Sequence, residues 1–381
     1  MVAAPAFSAS NEFSADLDDL LFQICEELQI TSARYDLAVA RYGTLNTLLE
    51  SSESPFRHFR PEIYPQGSMA LGTTVAPIKG PHDLDFVLQL SRDYSTVDPM
   101  ALIRTLYDFL RGNGIYRAMT TLKNRCVRIE YADEFYMDVL PACLNVAAGR
   151  GCIKVPDRAL KGWSDSNPKG YIEEFEKKSK MIFVGRMLDK AAPVPDRQAV
   201  AEKKPLQLVV QLSKRWRDLY YANLDPKLAP ISIVLTSIAA ETYRGGRSVS
   251  QALTSMLGGV VDLIDLSRRR GEQHLHLYNP SNRAEDLTER WDSNPAAYDA
   301  FESGIRDFWR RWSRLMAGHA NPYSELAQLF GEPVTAVLKK RAQGVQKSRG
   351  GQSLGVTGTG RIAPAAAAAV PIKRNTFYGT E

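Results

Sequence analysis

Apolar and polar positions in the first half of the chain follow helical and strand periods in turn. Leu17, Leu20, Leu21, Ile24 and Leu28 recur at helical spacing, whereas LDFVLQL is a short apolar run typical of a buried strand. Residues 14–30 and 31–49 form two helices or one long kinked helix. The predicted elements that follow are a strand at 84–90, a helix at 98–111, strands at 125–131 and 134–140 joined by a tight Ala132-Asp133 turn, loops and short strands at 150–170, and a helix at 171–189.

The second half of the chain follows the helical period almost throughout. A break rich in Pro and Ala at about 191–205 separates it from the first half. Helices are predicted at 206–221, 230–244, 248–265, 283–290, 294–317 and 322–330. From about residue 342 the composition changes to Gly, Ser, Ala and Pro, which predicts a flexible tail. We therefore expect an α/β half at 1–200, a helical domain at 201–341 and a tail at 342–381.

Composition and charge narrow the class of protein only slightly. The chain has 381 residues, 44% hydrophobic residues and a net charge of +5, which suits a packed domain and is compatible with a phosphate-bearing ligand. Its four cysteines form no CxxC pair, which disfavours a zinc site or a disulfide framework. Because no apolar run approaches the ~20 residues of a membrane span and the N-terminus lacks a secretory pattern, we expect a cytoplasmic protein without membrane contact.

Two carboxylates interrupt the most strand-like segment, at Asp83 and Asp85. Side chains alternate along a strand, so both point to one face, about 7 Å apart, and repel each other. No basic residue stands at the matching alternation, and a divalent cation is the simplest source of positive charge. A third carboxylate, Asp138, lies inside the predicted strand at 134–140. Three carboxylates on two neighbouring strands can hold two Mg²⁺ or Mn²⁺ ions about 4 Å apart, as in-line nucleotidyl transfer requires.

A Gly-Ser pair upstream of these carboxylates adds a candidate phosphate site. Gly67 lets a phosphate approach the backbone, and Ser68 offers a hydroxyl donor, if a helix begins there. A Gly-Ser pair alone is usually an ordinary turn, and Asp-x-Asp alone is usually a solvated loop. The combination of Gly67-Ser68, Asp83, Asp85 and Asp138 is more specific and predicts a metal-dependent phosphoryl or nucleotidyl transfer site.

The same residues carry a family resemblance. QGSMALGTTV, HDLDFVLQL and EFYMDVLPA resemble the nucleotidyltransferase superfamily that includes DNA polymerase beta. The segments WSDSNPKGYIEEFEKK, LQLVVQLSKRWRDLYY, APISIVLTSIAAETY and LYNPSNRAEDLTERW are similar to the bacterial relatives of cyclic GMP-AMP synthase, the CD-NTases of anti-phage signalling. The resemblance covers about residues 15–335. It implies an α+β fold: a polymerase-beta-like core with a mixed sheet and flanking helices, plus a C-terminal helical domain, with the active site in the cleft between them.

The resemblance also implies roles for individual residues. Asp83, Asp85 and Asp138 would hold two Mg²⁺ or Mn²⁺ ions. Gln66, Gly67, Ser68, Lys214 and Ser232 would bind the nucleotide, with Lys214 and Ser232 on the phosphates of the donor. The implied reaction joins NTPs, ATP and/or GTP, into a cyclic di- or trinucleotide and releases pyrophosphate. Simpler interpretations stay open: Lys214 is also explained as a solvated charge, and Ser232 as a helix N-cap.

Some features depart from the animal synthase and leave the function partly open. The chain lacks the His and Cys pattern of a zinc insertion, so no DNA activator is expected. Ile233 stands where that synthase has an aromatic residue for base stacking, so the base choice is not determined. A template-free RNA or tRNA-type nucleotidyltransferase and an inactive nucleotide sensor remain alternatives. The tail, ending NTFYGTE, is either a plain disordered end or a substrate of E1- and E2-like conjugating enzymes, which the family's operons sometimes encode.

Overall fold

The computed structural model describes residues 11–132, 134–180, 198–246, 248–350, 354–356, 362–364 and 370–371. The helices are α1 (Asn11–Glu27), α2 (Ser32–Glu50), α3 (Gly67–Ala70), α4 (Pro99–Gly112), α5 (Pro168–Ser179), α6 (Pro205–Tyr220), α7 (Ser232–Thr242), α8 (Val249–Arg269), α9 (Arg290–Ser293), α10 (Pro295–Met316), α11 (Pro322–Phe330) and α12 (Glu332–Gly350). The strands are β1 (Glu62–Pro65), β2 (His82–Asp93), β3 (Thr120–Leu122), β4 (Val127–Tyr131), β5 (Phe135–Leu144), β6 (Ile153–Asp157), β7 (Gly162–Ser166), β8 (Tyr278–Asn279), β9 (Asn282–Asp286), β10 (Leu354–Val356), β11 (Ile362–Pro364) and β12 (Val370–Pro371).

A seven-stranded mixed sheet organises the first half of the chain. Its order is β1-β2-β5-β4-β3, and β6 pairs with both β5 and β7. The central pair, β2 and β5, is parallel, whereas β1 with β2 and β4 with β5 are antiparallel. The helix α4 connects β2 to the part of the sheet that contains β3 and β4, which is the crossover that a parallel pair needs.

Alternation along β2 assigns its side chains to two faces. Leu84, Phe86 and Leu88 are buried in one hydrophobic cluster with residues of α2 and α4. Val87 lies on the opposite face, in a smaller buried cluster with Tyr64 and residues of β5 and β6. Asp83 and Asp85 share that second face, near the start of the strand. The apolar period therefore fixes the direction of the two carboxylates.

The helical half has its own hydrophobic core, which also takes in elements from the first half. Residues of α6, α7, α8, α10, α11 and α12 form one large buried cluster, and α1 and α5 contribute Leu21, Ile24 and Phe175 to it. On the exposed side, Lys340 and Arg341 of α12 pair with Glu27 and Asp19 of α1. The division at residue 200 stays a prediction, and α1 packs against the helices that lie beyond it in sequence.

The α+β fold and most predicted elements are confirmed, and the differences lie at a few places. The helix predicted at 283–290 is wrong: Asn282–Asp286 is a strand paired with Tyr278–Asn279, and a short helix follows at Arg290–Ser293. The amide of Ser281 bonds the side chain of Asn279 in a tight turn, which favours a hairpin over a helix at this point. The strands β1 and β3 were not predicted.

The predicted tail begins inside a helix, because α12 continues past residue 342 to Gly350. The short strand β10 then pairs with β11 on one side and β12 on the other. The predicted helical residues 181–189, the first seven residues of the break at 191–205, and the final residues NTFYGTE lie outside the described residues.

One helix of the described residues, α8, has the length and hydropathy of a membrane span. It also places Leu253, Leu257, Val260 and Ile264 in the buried helical cluster. Burial of that apolar face within the protein accounts for its hydropathy, as in the central helix of a globular domain.

Candidate active site

The register of the central strands brings the three predicted carboxylates onto one face. In the parallel pair β2–β5, Asp85 lies directly opposite Asp138, and Asp83 lies opposite Tyr136. Neighbouring strands are about 4.8 Å apart, so side chains on one face of such a pair lie close together. Asp138 is nearly buried, at 9% exposed, whereas the side chain of Asp83 is 61% exposed. The carboxylates thus line the edge of a polar face that opens to solvent.

A guanidinium lies between these carboxylates, which corrects the expectation that no basic side chain matches them. Arg128 of β4 is directly opposite Asp138 in the antiparallel pair β4–β5. Its Nε donates to Asp138 Oδ1 at 2.7 Å and its Nη2 donates to Oδ2 at 2.8 Å. The same Nη2 is 3.2 Å from Asp83 Oδ1. Arg128 therefore supplies the positive charge that had been assigned to a metal alone.

The charges at this site act strongly on Asp85. Burial, followed by the charges of Asp138 and Asp83, raises the pKa of Asp85 to about 7. Burial also raises the pKa of Asp83, although the neighbouring Arg128 acts in the opposite direction. Three carboxylates face one guanidinium, and this excess of negative charge favours either protonation of Asp85 or a bound cation.

Divalent cations fit this donor set, but the side chains are not arranged around an open metal position. Within the described residues, no group of three or more His, Cys, Asp or Glu side chains is disposed to hold a metal ion. Both oxygens of Asp138 are occupied by Arg128. Carboxylate oxygens are the ligands that Mg²⁺ and Mn²⁺ prefer, and the excess negative charge favours them. The chemistry of Asp83, Asp85 and Asp138 thus suits a metal once Arg128 is displaced.

The turn from Gln66 to Thr74 lies against the start of β2. The amide of Gln66 donates to Asp85 O at 2.9 Å, and the amide of Thr73 donates to Ser68 O at 2.9 Å. Gly67 has φ +58°, and a Cβ there would lie 2.9 Å from Asp85 Oδ2. Only glycine therefore lets this turn pass so close to the carboxylate without strain. The hydroxyl of Ser68, which accepts from Thr74 Oγ1 at 3.4 Å, is partly exposed beside the aspartates.

Buried polar side chains of α6 clamp the chain that follows this turn. Four side chains of α6 donate to backbone carbonyls between residues 71 and 76: Gln207 to Leu71, Lys214 to Thr73, Gln211 to Thr74, and Arg215 to Ala76. All four donors are buried, and each bond satisfies a backbone oxygen that would otherwise be buried without a hydrogen-bond donor. In the sequence, the only hint of these bonds is that Gln207, Gln211, Lys214 and Arg215 stand among the apolar residues of α6.

Lys214 is thus a buried residue and not a solvated charge. Its Nζ donates to Thr73 O at 3.1 Å and to Thr73 Oγ1 at 3.3 Å. Burial, and then the charge of Arg217, lower its pKa to about 7, against the attraction of Asp85. An ammonium has three N–H donors, and these contacts use two of them. The ammonium therefore lies directly behind the turn that contains Ser68.

Ser232 is the first residue of α7, and the structure excludes the simpler interpretation of it as an N-cap. Ile231 occupies the N-cap position. Ser232 Oγ instead accepts from Arg217 Nη1 at 2.7 Å, and Arg217 also pairs with Asp218. Ile233, at the position of the aromatic residue in the animal synthase, packs against the helical core. The structure thus joins Ser232 to Arg217, a residue that the sequence analysis had not singled out.

Two cavities lie near these elements, and the three aspartates line neither. One, of about 250 Å³, is behind the turn, between Met69–Thr74, α5 and α6. The other, of about 350 Å³, lies among α5, α7 and the β8–β9 hairpin.

The contact between Arg128 and Asp138 could have been predicted from the hairpin formed by β4 and β5. Once Val127–Tyr131 and Phe135–Leu144 are paired about the turn between them, each residue faces the one equidistant from that turn. Arg128 then faces Asp138. The alternation of β2 carries no basic residue on the face of the aspartates, and the guanidinium comes from β4, two strands away in the sheet.

Known proteins resemble this chain over most of its length. A model of the Second Messenger Oligonucleotide or Dinucleotide Synthetase domain matches residues 16–179. A c-di-GMP synthase of Roseivirga ehrenbergii is 30% identical over 369 residues, which cover 95% of this chain and 97% of the relative. The cyclic dinucleotide synthase CdnG of Bradyrhizobium diazoefficiens is 25% identical over 301 residues, 73% of this chain and 71% of that protein.

The fold comparison agrees with the sequence comparison. The structure of the CD-NTase CdnG of Bradyrhizobium diazoefficiens in complex with GTP superposes with a TM-score of 0.70 at 21% identity, covering 86% of this chain and 99% of that structure. Given this fold, the synthetase model and a relative that matches nearly the whole chain, the protein belongs to the bacterial CD-NTase family, nucleotidyltransferases that make cyclic oligonucleotide second messengers.

Proposed function

We propose that this chain joins two NTPs into a cyclic dinucleotide at the face formed by β2 and β5. The observation that carries the proposal is the strand register, which sets Asp85 opposite Asp138 beside the turn that contains Ser68. The relative from Roseivirga ehrenbergii is a c-di-GMP synthase, which makes GTP the first candidate substrate and ATP the second. A cytoplasmic location, where NTPs are abundant, and a role in anti-phage signalling follow from this proposal.

Asp83, Asp85 and Asp138 would hold two Mg²⁺ or Mn²⁺ ions. Bound there, the cations would neutralise phosphate charge and assist deprotonation of the attacking ribose hydroxyl. Asp138 would orient the acceptor hydroxyl, because it is the most buried of the three and its backbone is held between β2 and β4. The protein contributes mainly position and charge, as in other phosphoryl transfers.

The triphosphate of the donor would lie on the turn from Gln66 to Ser68. Gly67 leaves the backbone accessible, and the partly exposed Ser68 hydroxyl offers a donor. Lys214 has one N–H beyond its two bonds to Thr73 and would direct it towards the phosphates. Ser232, with its partner Arg217, would contact the phosphates from the helical half. These contacts would fix the α-phosphorus in line with the acceptor hydroxyl.

The reaction then has two transfers of the same kind. The acceptor hydroxyl attacks the α-phosphorus of the donor, a P–O bond forms, and pyrophosphate leaves. The linear intermediate turns round, and its remaining hydroxyl attacks the second α-phosphorus to close the ring with release of a second pyrophosphate. The side chain of Asp83 is 61% exposed, so this end of the site opens to solvent, which is compatible with the reorientation.

The test is to incubate the purified protein with the four NTPs and Mg²⁺ or Mn²⁺. We expect pyrophosphate and a small product that resists phosphatase, with a mass that identifies its bases and a nuclease sensitivity that identifies its linkages. The Asp83→Asn, Asp85→Asn double variant should lose pyrophosphate release by at least roughly a thousandfold, since transition-state charge stabilisation of ~4 kcal/mol or more is removed. Asp108→Asn, an exposed carboxylate on α4, is the control and should keep full activity.

Other products would overturn this proposal. Elongation of labelled RNA would support the template-free polymerase. Nucleotide binding without pyrophosphate release in the unsubstituted protein would support a sensor. No DNA should be needed for activity.

We also propose that the C-terminal residues interact with E1- and E2-like conjugating enzymes, if the neighbouring genes encode them. The observation behind this is the sequence beyond α12, which is rich in Gly, Ser and Ala and ends in NTFYGTE. Deletion of residues 370–381 should leave cyclic nucleotide synthesis unchanged and abolish conjugation. Conjugation that survives the deletion would contradict the idea.

A further inference from the structure

The guanidinium of Arg128 occupies oxygens that a metal ion would need. It bonds both oxygens of Asp138, at 2.7 and 2.8 Å, and lies 3.2 Å from Asp83. A divalent cation binds carboxylate oxygens directly, at about 2.1–2.6 Å. Each oxygen of Asp138 keeps a second lone pair, but a dication bound there would lie within a few ångströms of the guanidinium and be repelled by its positive charge.

Arg128 is held in this position from more than one side. Its guanidinium lies over the ring of Tyr136, with 4.5 Å from Cζ to the ring centroid. Tyr136 is opposite Asp83 on the neighbouring strand, so Asp83, Tyr136, Asp138 and Arg128 form one continuous patch of the sheet. The stacked, two-pronged geometry is one that lysine cannot reproduce.

The same side chain has a route out of the site. The Arg128 side chain is 20% exposed, at the solvent-facing end of the patch, and its long stem can rotate without a backbone change. Phosphate groups bind a guanidinium through the same two-pronged geometry as a carboxylate does. A nucleotide on this face would therefore offer Arg128 an alternative partner.

We propose that Arg128 competes with divalent cations for Asp83 and Asp138, and that nucleotide phosphates relieve the competition by drawing Arg128 away. Metal and nucleotide then bind cooperatively, and the site holds metal weakly until a substrate is present. This inference rests on the metal-dependent function proposed above and adds an order to its assembly. Arg128 is in this view a positioning residue that moves from carboxylate to phosphate.

The test measures metal binding and not turnover. Mn²⁺ is titrated into the purified full-length protein, and free Mn²⁺ is followed by electron paramagnetic resonance. Arg128→Met keeps the length of the stem and removes the charge, and we expect it to bind Mn²⁺ at least about tenfold more tightly than the unsubstituted protein. After subtraction of the Mn²⁺ that a non-hydrolysable GTP analogue binds in protein-free solution, adding the analogue should tighten Mn²⁺ binding to the unsubstituted protein and change the variant much less.

Two further variants keep the result interpretable. Arg111 of α4 also lies over a tyrosine, Tyr107, and has no described carboxylate partner, so Arg111→Met should leave Mn²⁺ affinity unchanged. Arg128→Lys keeps the charge but not the two-pronged geometry, and we expect an intermediate affinity even if Arg128→Met folds poorly. Thermal unfolding of each variant identifies any that fails to fold.

The outcomes separate this inference from the proposed function. If Mn²⁺ binding depends on Asp83 and Asp85 but is the same in all Arg128 variants, competition is refuted and the metal site stands. If neither the unsubstituted protein nor the Arg128 variants bind Mn²⁺ with the GTP analogue present, both the competition and the metal-dependent function are refuted.

Discussion

Gly67 offers the sharpest test of how the turn and the carboxylates are joined. Its φ of +58° lies in the left-handed region, where a side chain costs about 1–2 kcal/mol. A Cβ at this position would also lie 2.9 Å from Asp85 Oδ2, whereas ordinary contacts begin at 3.4 Å. Gly67→Ala must therefore displace the turn or the carboxylate by about half an ångström.

These two effects act on different measurements. The backbone strain should lower the free energy of unfolding by about 1–2 kcal/mol, measured by urea denaturation. The displacement should lower the rate of pyrophosphate release by roughly tenfold to a hundredfold, because a shift of about 1 Å in a reacting group can cost about a hundredfold.

A second glycine separates strain from displacement. Gly271, at the end of α8, has φ +72°, and a Cβ there would meet nothing within 4 Å. Gly271→Ala should lose the same stability and keep full activity at a temperature where both variants are folded. The reasoning fails if Gly67→Ala retains the unsubstituted rate, or if Gly271→Ala loses activity to the same extent.

Three other perturbations test the energetics of the fold. Burial lowers the pKa of Lys214 to about 7, below its unfolded value of 10.5. Between these two pH values the unfolded chain binds a proton at Lys214 that the folded protein has lost. The free energy of unfolding therefore increases as pH rises from 7 towards 10.5. Relative to Lys214→Met, the unsubstituted protein should therefore gain about 1 kcal/mol per pH unit in this window, and parallel unfolding curves would contradict the buried ammonium. Although burial alone would raise the pKa of Asp157, hydrogen bonds from Leu160 N–H and Arg125 lower it to about 2. Asp157→Asn should cost about 1.5–3 kcal/mol at pH 7, and the difference should disappear as pH falls from 4 through 2; a difference that persists in acid would show that charge is not its cause. A Cβ on Gly304 would lie 2.9 Å from the ring of Tyr220. Gly304→Ala should therefore lower the free energy of unfolding by about 1–3 kcal/mol, measured by urea denaturation. An unchanged urea midpoint would show that α6 and α10 can move apart without cost.

The sequence alone determined the elements that short-range periodicity controls. The apolar period of LDFVLQL placed Asp83 and Asp85 on one face, and the second strand placed Asp138 nearby. The first two helices and the helix at 322–330 were identified to within a few residues, because their apolar stripes are regular, whereas α12 was not predicted. The family resemblance then indicated a cyclic nucleotide synthase before any contact was known.

The polar segments were less predictable from their period. AEDLTERW has helical spacing, and yet its first residues pair with Tyr278–Asn279. The strands β1 and β3 are only four and three residues long, too short to show a period of their own. In such segments the turn before the element, or the neighbouring strand, decides the conformation, and neither is visible within the segment itself.

Only the tertiary structure decided which charges meet. It placed Arg128 of β4 against Asp138, although the spacing of the three aspartates in the sequence gives no indication of β4. It also buried Lys214 behind the turn through its bonds to Thr73, 141 residues away in sequence, where a solvated charge had been the simpler interpretation. Side-chain alternation specifies a face and a direction, but the electrostatics of a site depend on register between strands and on packing between distant elements. Strand register and the packing of distant elements depend on the energy of the whole fold, so they cannot be derived from any one segment of the sequence.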